Sequence, residues 1–124
     1  MYYYLYNFIL HTKIEFKMLK KAKENGYFIK CFYVLTASPQ INVYRVKVRK
    51  ESGGHDVPKD KIISRYGRAL NLIPELLEGC DVCHIYDNSD KPFRIFKKRK
   101  TEYFYWENSF WNKKQIQELV QIEF

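Results

Sequence analysis

At 124 residues the chain makes one domain, residues 1–124, long enough to bury roughly two-thirds of its unfolded surface. A hydrophobic content of 46% with 18% aromatic residues excludes a disordered class, and 29% charged residues keep the surface wet. The net charge of +8 points to anionic partners, nucleotide, nucleic acid or acidic lipid, without choosing among them.

The opening Tyr2-Tyr3-Tyr4-Leu5-Tyr6-Asn7-Phe8-Ile9-Leu10 is apolar, but Lys13 and Glu15 end the run well short of the about 20 residues that a bilayer span needs, so no membrane anchor is expected. The run has neither a basic leader nor a small-residue cleavage site, and three cysteines, an odd number, fit a reducing compartment. Both point to the cytoplasm.

Thr12-Lys13-Ile14-Glu15 has the form of a capping box, Ile14, Met18, Leu19 and Ala22 recur at helical spacing, and Gly26 offers a left-handed stop. The spacing predicts a helix over 12–25. Residues 27–35 are nearly continuous in aromatic and β-branched side chains, with Lys30 the sole charge, which predicts a strand buried on both faces as in parallel sheets. Ser38-Pro39 is a cap followed by proline at the first helical position. On the helix it opens, Ile41, Tyr44 and Val48 share one face and Arg45 and Arg49 another. Gly53-Gly54 ends that helix; Asp56 to Pro58 starts the next, with Ile62, Tyr66, Ala69, Leu70 and Ile73 as its buried stripe and Pro74 as a kink or restart.

Residues 81–87, 93–98 and 103–107 read as three further strands, the last two joined by a basic hairpin turn, and 112–122 as a helix with Ile116, Leu119 and Val120 inward. Strands alternating with helices predict an α/β fold, a parallel sheet with flanking helices and a C-terminal β-hairpin.

Cys80-Asp81-Val82-Cys83-His84 matches the C-x-x-C-H pattern of haem attachment. On a strand the two cysteines would point to opposite faces, so they read as small apolar residues of a core strand, and no zinc set is expected either. The run Lys97-Lys98-Arg99-Lys100, flanked by Phe93, Phe96, Tyr103, Phe104, Tyr105 and Trp106, has two readings. One is a solvated hairpin turn; the other is a stacking platform with a basic rim for single-stranded nucleic acid. Arg45, Arg49, Arg65 and Arg68 form a cluster of the kind that neutralises the charge of a phosphoryl-transfer transition state. Arginines on wet helices are its plainer reading.

From Asn25 to Ser89 the chain resembles the C-terminal half of zeta-toxin-like kinases. The residues that carry the resemblance are Gly26-Tyr27, Ser38-Pro39, Arg45-Val46, Arg49, Gly53-Gly54-His55, Pro58, Arg65-Tyr66 and Asp87-Asn88-Ser89. It implies a P-loop-kinase-like sheet using ATP and Mg, with phosphoryl transfer in the toxin branch to a UDP-amino sugar, and a toxin-antitoxin setting. By the same resemblance Arg45 and Arg49 meet the phosphates from a lid, Gly53, Gly54 and His55 shape that lid, Arg65 belongs to the nucleotide site, and Asn88 lies near the base.

No G-x-x-x-x-G-K-[ST] occurs among the five glycines, and Asn7-Phe8-Ile9-Leu10 carries no acid where the family has one. The expectation is a shortened or interrupted frame that is inactive alone. Its strands at 27–35 and 81–87 would flank a missing P-loop strand, leaving edges for a P-loop half or for self-association. Two alternatives stay open: a small basic nucleic-acid-binding protein using the 93–106 hairpin, and a non-catalytic subunit paired with a separate P-loop chain.

Overall fold

A computed structural model describes residues 2–6 and 13–124, with side chains from Lys17 onward. In chain order the elements are β1 (Tyr2–Tyr6), α1 (Lys13–Glu24), β2 (Tyr27–Leu35), α2 (Pro39–Glu51), α3 (Lys59–Asn71), α4 (Ile73–Gly79), β3 (Val82–Asp87), β4 (Phe93–Arg99), β5 (Glu102–Tyr105) and α5 (Lys113–Val120). The cap at Thr12, the side chains of Ile14 and Glu15, and residues 7–10 lie outside the described residues.

Local chemistry sets most boundaries. Gly26 stops α1 at φ +83°, a conformation that glycine adopts without a Cβ penalty. Ser38 caps α2 from an extended backbone, its side chain accepting from the Gln40 N–H, with Pro39 just inside. Pro74 restarts the chain as the short α4 after Leu72. Asn112 and Gln115 close a reciprocal capping box on α5.

The five strands lie in sequence order, with β1, β2 and β3 parallel and β3, β4 and β5 antiparallel. β1 occupies part of the opening aromatic run, where the sequence indicated no element. It pairs with the first half of β2, from Tyr2 beside Tyr27 to Tyr6 beside Cys31. β2 and β3 pair directly with each other, Lys30 beside Val82 through Leu35 beside Asp87. The gap expected between them for a P-loop strand is therefore closed.

β2 is not buried on both faces. Ile29, Cys31, Tyr33 and Leu35 are buried, whereas Phe28, Lys30 and Phe32 between them are half-buried and Val34 is 61% exposed. The buried set joins Cys83, Ile85 and Phe96 from the neighbouring strands and receives Leu19 of α1, Ile73, Leu76 and Leu77 of α4, and Ile116, Leu119 and Val120 of α5. Burying each large aliphatic or aromatic side chain of this kind is worth about 1.5–3 kcal/mol, so the two-layer arrangement of sheet and helices carries the fold.

Met18 is exposed instead of lying in the stripe with Leu19. Tyr44 and Val48 are exposed too, and neither α2 nor α3 contains a fully buried residue; Ile62, Tyr66, Ala69 and Leu70 are half-buried, while Ile73 is fully buried from α4. The strand argument for the cysteines also changes. Cys80 ends α4 before the strand begins, and its Sγ lies 2.8 Å from Cys31 Sγ, with Cys83 beside Cys31 in register on the core face. All three are buried; the hydrogen bond with Cys80 and then burial push the Cys31 thiol upward, while at Cys80 the contact with Cys31 acts downward but is outweighed by the contact with Cys83 and by burial, so both stay protonated and unreactive.

Candidate functional site

The C-terminal ends of β2 and β3 meet the helical pair α2–α3 at one end of the sheet. Crevices beyond the carboxyl ends of parallel strands are where open α/β sheets usually take ligands. Here the chain continues from β2 through Thr36, Ala37 and Ser38 into α2, and from β3 through Asn88 and Ser89 towards β4.

These two turns are tied together side by side. Asn88 N–H donates to the Leu35 carbonyl (2.8 Å), and Ala37 N–H donates to Ser89 Oγ (2.9 Å). Ser89 in turn gives its hydroxyl and its N–H to Asp87 Oδ1, at 2.6 and 3.2 Å, and Asn108 donates to Asp87 Oδ2 at 3.0 Å. Asp87 is almost wholly enclosed, so these neutral donors supply what water would.

Arg45 reaches across from α2 and donates from Nη2 to the carbonyls of Asn88 (2.6 Å) and Ser89 (3.1 Å). A charged donor on two carbonyls fixes the helix against the turn. Arg49, one helical turn further on, is exposed. Gly53 has φ +90°, and a Cβ on Gly54 would fall 2.8 Å from the Arg49 carbonyl that the Gly54 N–H approaches at 2.7 Å. Both glycines are therefore required by the turn between α2 and α3. His55 and Arg65 are exposed.

Tyr66 of α3 donates its hydroxyl to the Thr36 carbonyl at 2.7 Å. Burial, with the Asp87 carboxylate nearby, pushes that hydroxyl up to about 12, so it stays a donor. Thr36 is buried with Oγ1 2.9 Å from Asn42 Oδ1 and 3.1 Å from the Ser38 carbonyl. Between α2, α3 and the end of β2 lies a cavity of about 560 Å³, lined largely by apolar side chains, including Val46, Val57 and Ile62, with Asn42 and Arg65 among its polar groups.

The structure thus brings Arg45 and Asn88 into contact, sets Arg65 at the cavity, and leaves Arg49 and His55 in solvent. Sequence reasoning missed Asp87 as the hub, and with it Thr36, Ser89 as a side-chain donor, and Asn108. Asn108 does carry a local signal, since its Oδ1 accepts from the N–H groups of Phe110 and Trp111, the pattern of an Asx turn.

The basic hairpin is less uniform than its sequence. Lys98 is half-buried, and its ammonium donates to the carbonyls of Leu77 and Cys80 on the core side. Lys97 and Arg99 point the other way, in register with His84 and Val82. Among the described residues no group of three or more His, Cys, Asp or Glu side chains converges to hold a metal ion, and no helix is long and apolar enough to cross a membrane.

A stretch of 48 residues is 40% identical to an uncharacterized protein of Haemophilus influenzae, covering 39% of this chain and 34% of that protein. The match spans about a third of the relative's length. No family profile matches the chain, and no solved structure does.

Proposed function

We propose that the chain is the lid and last-strand portion of an ATP-dependent phosphotransferase of the zeta-toxin type, working with a P-loop-bearing half that supplies the phosphate cradle and the general base from outside the directly paired β2 and β3 and not from a strand between them. The observation that carries this reading is Arg45 clamped on the Asn88-Ser89 turn, beneath a helical pair joined by Gly53-Gly54 at the carboxyl ends of two parallel strands. Arg45 then organises the nucleotide-side turn, while Arg49 and Arg65 are the exposed guanidinium groups that would meet phosphate oxygens. The apolar cavity beside Tyr66 would take a flat base. Mg would arrive with the nucleotide, and the acceptor in the toxin branch would be a UDP-amino sugar. Such chemistry belongs in the cytoplasm, where ATP is held.

Phosphoryl transfer depends on positioning and on charge placed around the γ-phosphoryl group, and the sequence contains no lysine and N–H cradle of the P-loop kind. The chain alone is therefore expected to transfer no phosphate from radiolabelled ATP to UDP-sugars. Co-expression with the P-loop half of a related kinase is expected to restore turnover, and Arg49→Ala to reduce it by at least tenfold, the scale of one lost charged contact. Turnover by the purified chain alone that vanishes in Arg45→Ala would overturn the division of labour.

A further inference from the structure

The sheet has a second face that contributes nothing to the core cluster. Phe28, Lys30, Phe32 and Val34 of β2, Val82, His84 and Tyr86 of β3, Arg94, Lys97 and Arg99 of β4, and Phe104 of β5 alternate with the core residues, and none of them belongs to that cluster. The register sorts them into rows across the strands. Phe32, His84, Lys97 and Phe104 form one row, and Lys30, Val82, Arg99 and Glu102 form the next. Val34, Tyr86 and Arg94 form a third, which Trp106 extends through its N–H bond to the Ile95 carbonyl.

Rings and cations are in contact throughout. Phe32 stacks on His84 with centroids 4.9 Å apart and on Tyr86 at 6.5 Å. The Arg94 guanidinium lies 4.4 Å above the Trp106 ring, Lys97 Nζ 5.8 Å from Phe104, and Lys30 Nζ 5.4 Å from Phe32. Phe104 and Trp106 remain 41% and 37% exposed. At one end the rows open into a shallow hollow of about 730 Å³ edged by Lys30, His84, Lys97, Arg99 and Lys100.

A sheet face that receives helices reads as a run of branched aliphatic residues. This one instead sets cations beside rings in two of its three rows and two cations in the third; its acids among the described residues are Glu102, opposite Arg99, and Asp81 at the hollow, whose carboxylate accepts the Ile29 N–H. That combination is complementary to a ligand that is flat and apolar on one edge and anionic on the other. We propose that this face binds single-stranded nucleic acid, with Phe104, Trp106 and Phe32 stacking on bases and Lys30, Lys97, Arg99 and Lys100 meeting phosphates. His84 works underneath as a prop for Phe32 and as the acceptor of an Arg94 contact at 3.2 Å. The face borders the cavity of the phosphotransferase reading, since Phe32 and Val34 also line it, but the inference rests on different groups, chiefly the rings and cations of β3, β4 and β5 and not the arginines of α2 and α3.

The test is fluorescence anisotropy of the full chain with a labelled uridine oligonucleotide of about 12 nucleotides, within the span that one small domain covers, against a duplex of equal length. The single strand is expected to bind more tightly than the duplex. Phe104→Leu with Trp106→Leu is expected to weaken it by about tenfold or more, while Phe104→Tyr, which keeps the ring, binds as the parent does. Lys97→Gln with Arg99→Gln is expected to reduce the slope of log affinity on log salt by about 1.4, at about 0.7 per phosphate contact. The charge-matched Lys59→Gln with Lys61→Gln on α3 is expected to leave that slope unchanged.

Ring variants that bind like the parent would reduce the face to a generic polyanion surface and overturn the proposal. A duplex bound as tightly as the single strand would overturn it too. So would light scattering that finds a dimer with amide exchange blocked on β4 and β5, because a second copy would then occupy the face.

Discussion

Asp87 is buried with both carboxylate oxygens held by neutral donors from Ser89 and Asn108. Changing it to asparagine keeps the shape but turns one oxygen into an amide that faces a donor. Asp87→Asn is therefore expected to cost about 1–3 kcal/mol in urea unfolding, the penalty of an unmet buried polar group, and to loosen the Asn88-Ser89 turn that Arg45 grips. An unchanged midpoint would mean that the hub carries no stability. His84 offers a separate handle at the same scale. Burial first, and then Arg94, Lys30 and Lys97, bring its ring from the usual 6.5 down to about 4. Between these values the unfolded chain holds a proton that the folded chain refuses, so the unfolded state binds more protons there. Stability is then expected to fall as pH drops from 6.5 to 4, and to be level above 6.5 as far as this group is concerned. His84→Gln should flatten that segment of the midpoint-against-pH curve; an identical slope would assign it to other groups.

At the scale of elements, β4 does two jobs because successive side chains point to opposite faces. Lys98 turns to the core side and donates to the carbonyls of Leu77, which also accepts the Cys80 N–H, and of Cys80, at the end of α4. Burial lowers its affinity for a proton, with Lys23 adding to the effect. Lys98→Met keeps the stem and loses the donor, so it is expected to cost about 1–3 kcal/mol and to raise amide exchange first in residues 73–79. Lys97→Met, on the open face, should leave that exchange unchanged. Element positions were legible because their signals are local: Ser38-Pro39, Gly26 and Pro74 sit at the boundaries they mark. Sidedness was not legible. Phe32 and Val34 are the same kinds of residue as Ile29 and Tyr33, and only the placement of α1, α4 and α5 decides which set is covered. β1 was missed because Tyr2–Tyr6 lacks a flanking turn and gains its identity from pairing with β2. Of the site, the Gly53-Gly54 turn was readable, whereas the Arg45 contact spans 43 residues and Asn108 reaches Asp87 across a hairpin.

Across the whole molecule the balance of charge is lopsided: the sequence carries +8, and the described side chains form one ion pair, Lys50 with Asp56, more than half exposed at both ends. A pair so exposed contributes about 0–1 kcal/mol, too little to offset repulsion among the remaining cations. The repulsion is concentrated on the open sheet face. Lys97 and Arg99 are two residues apart on one strand, about 7 Å along it, and neighbouring strands lie about 4.8 Å apart. Such separations fall inside the screening length of about 30 Å at 0.01 M salt but exceed the about 3 Å found at 1 M. Folding gathers these cations, whereas unfolding spreads them out, so added salt should favour the folded chain. The urea midpoint is accordingly expected to rise with sodium chloride, and Lys97→Gln with Arg99→Gln to start higher at low salt and rise less. Short polyphosphate should produce the same gain at far lower concentration, because a ligand that prefers the folded state stabilises it by mass action. A midpoint that falls as salt is added would mean that attractive pairs outweigh the crowding of cations, and the open face would then have no electrostatic reason to take an anionic ligand.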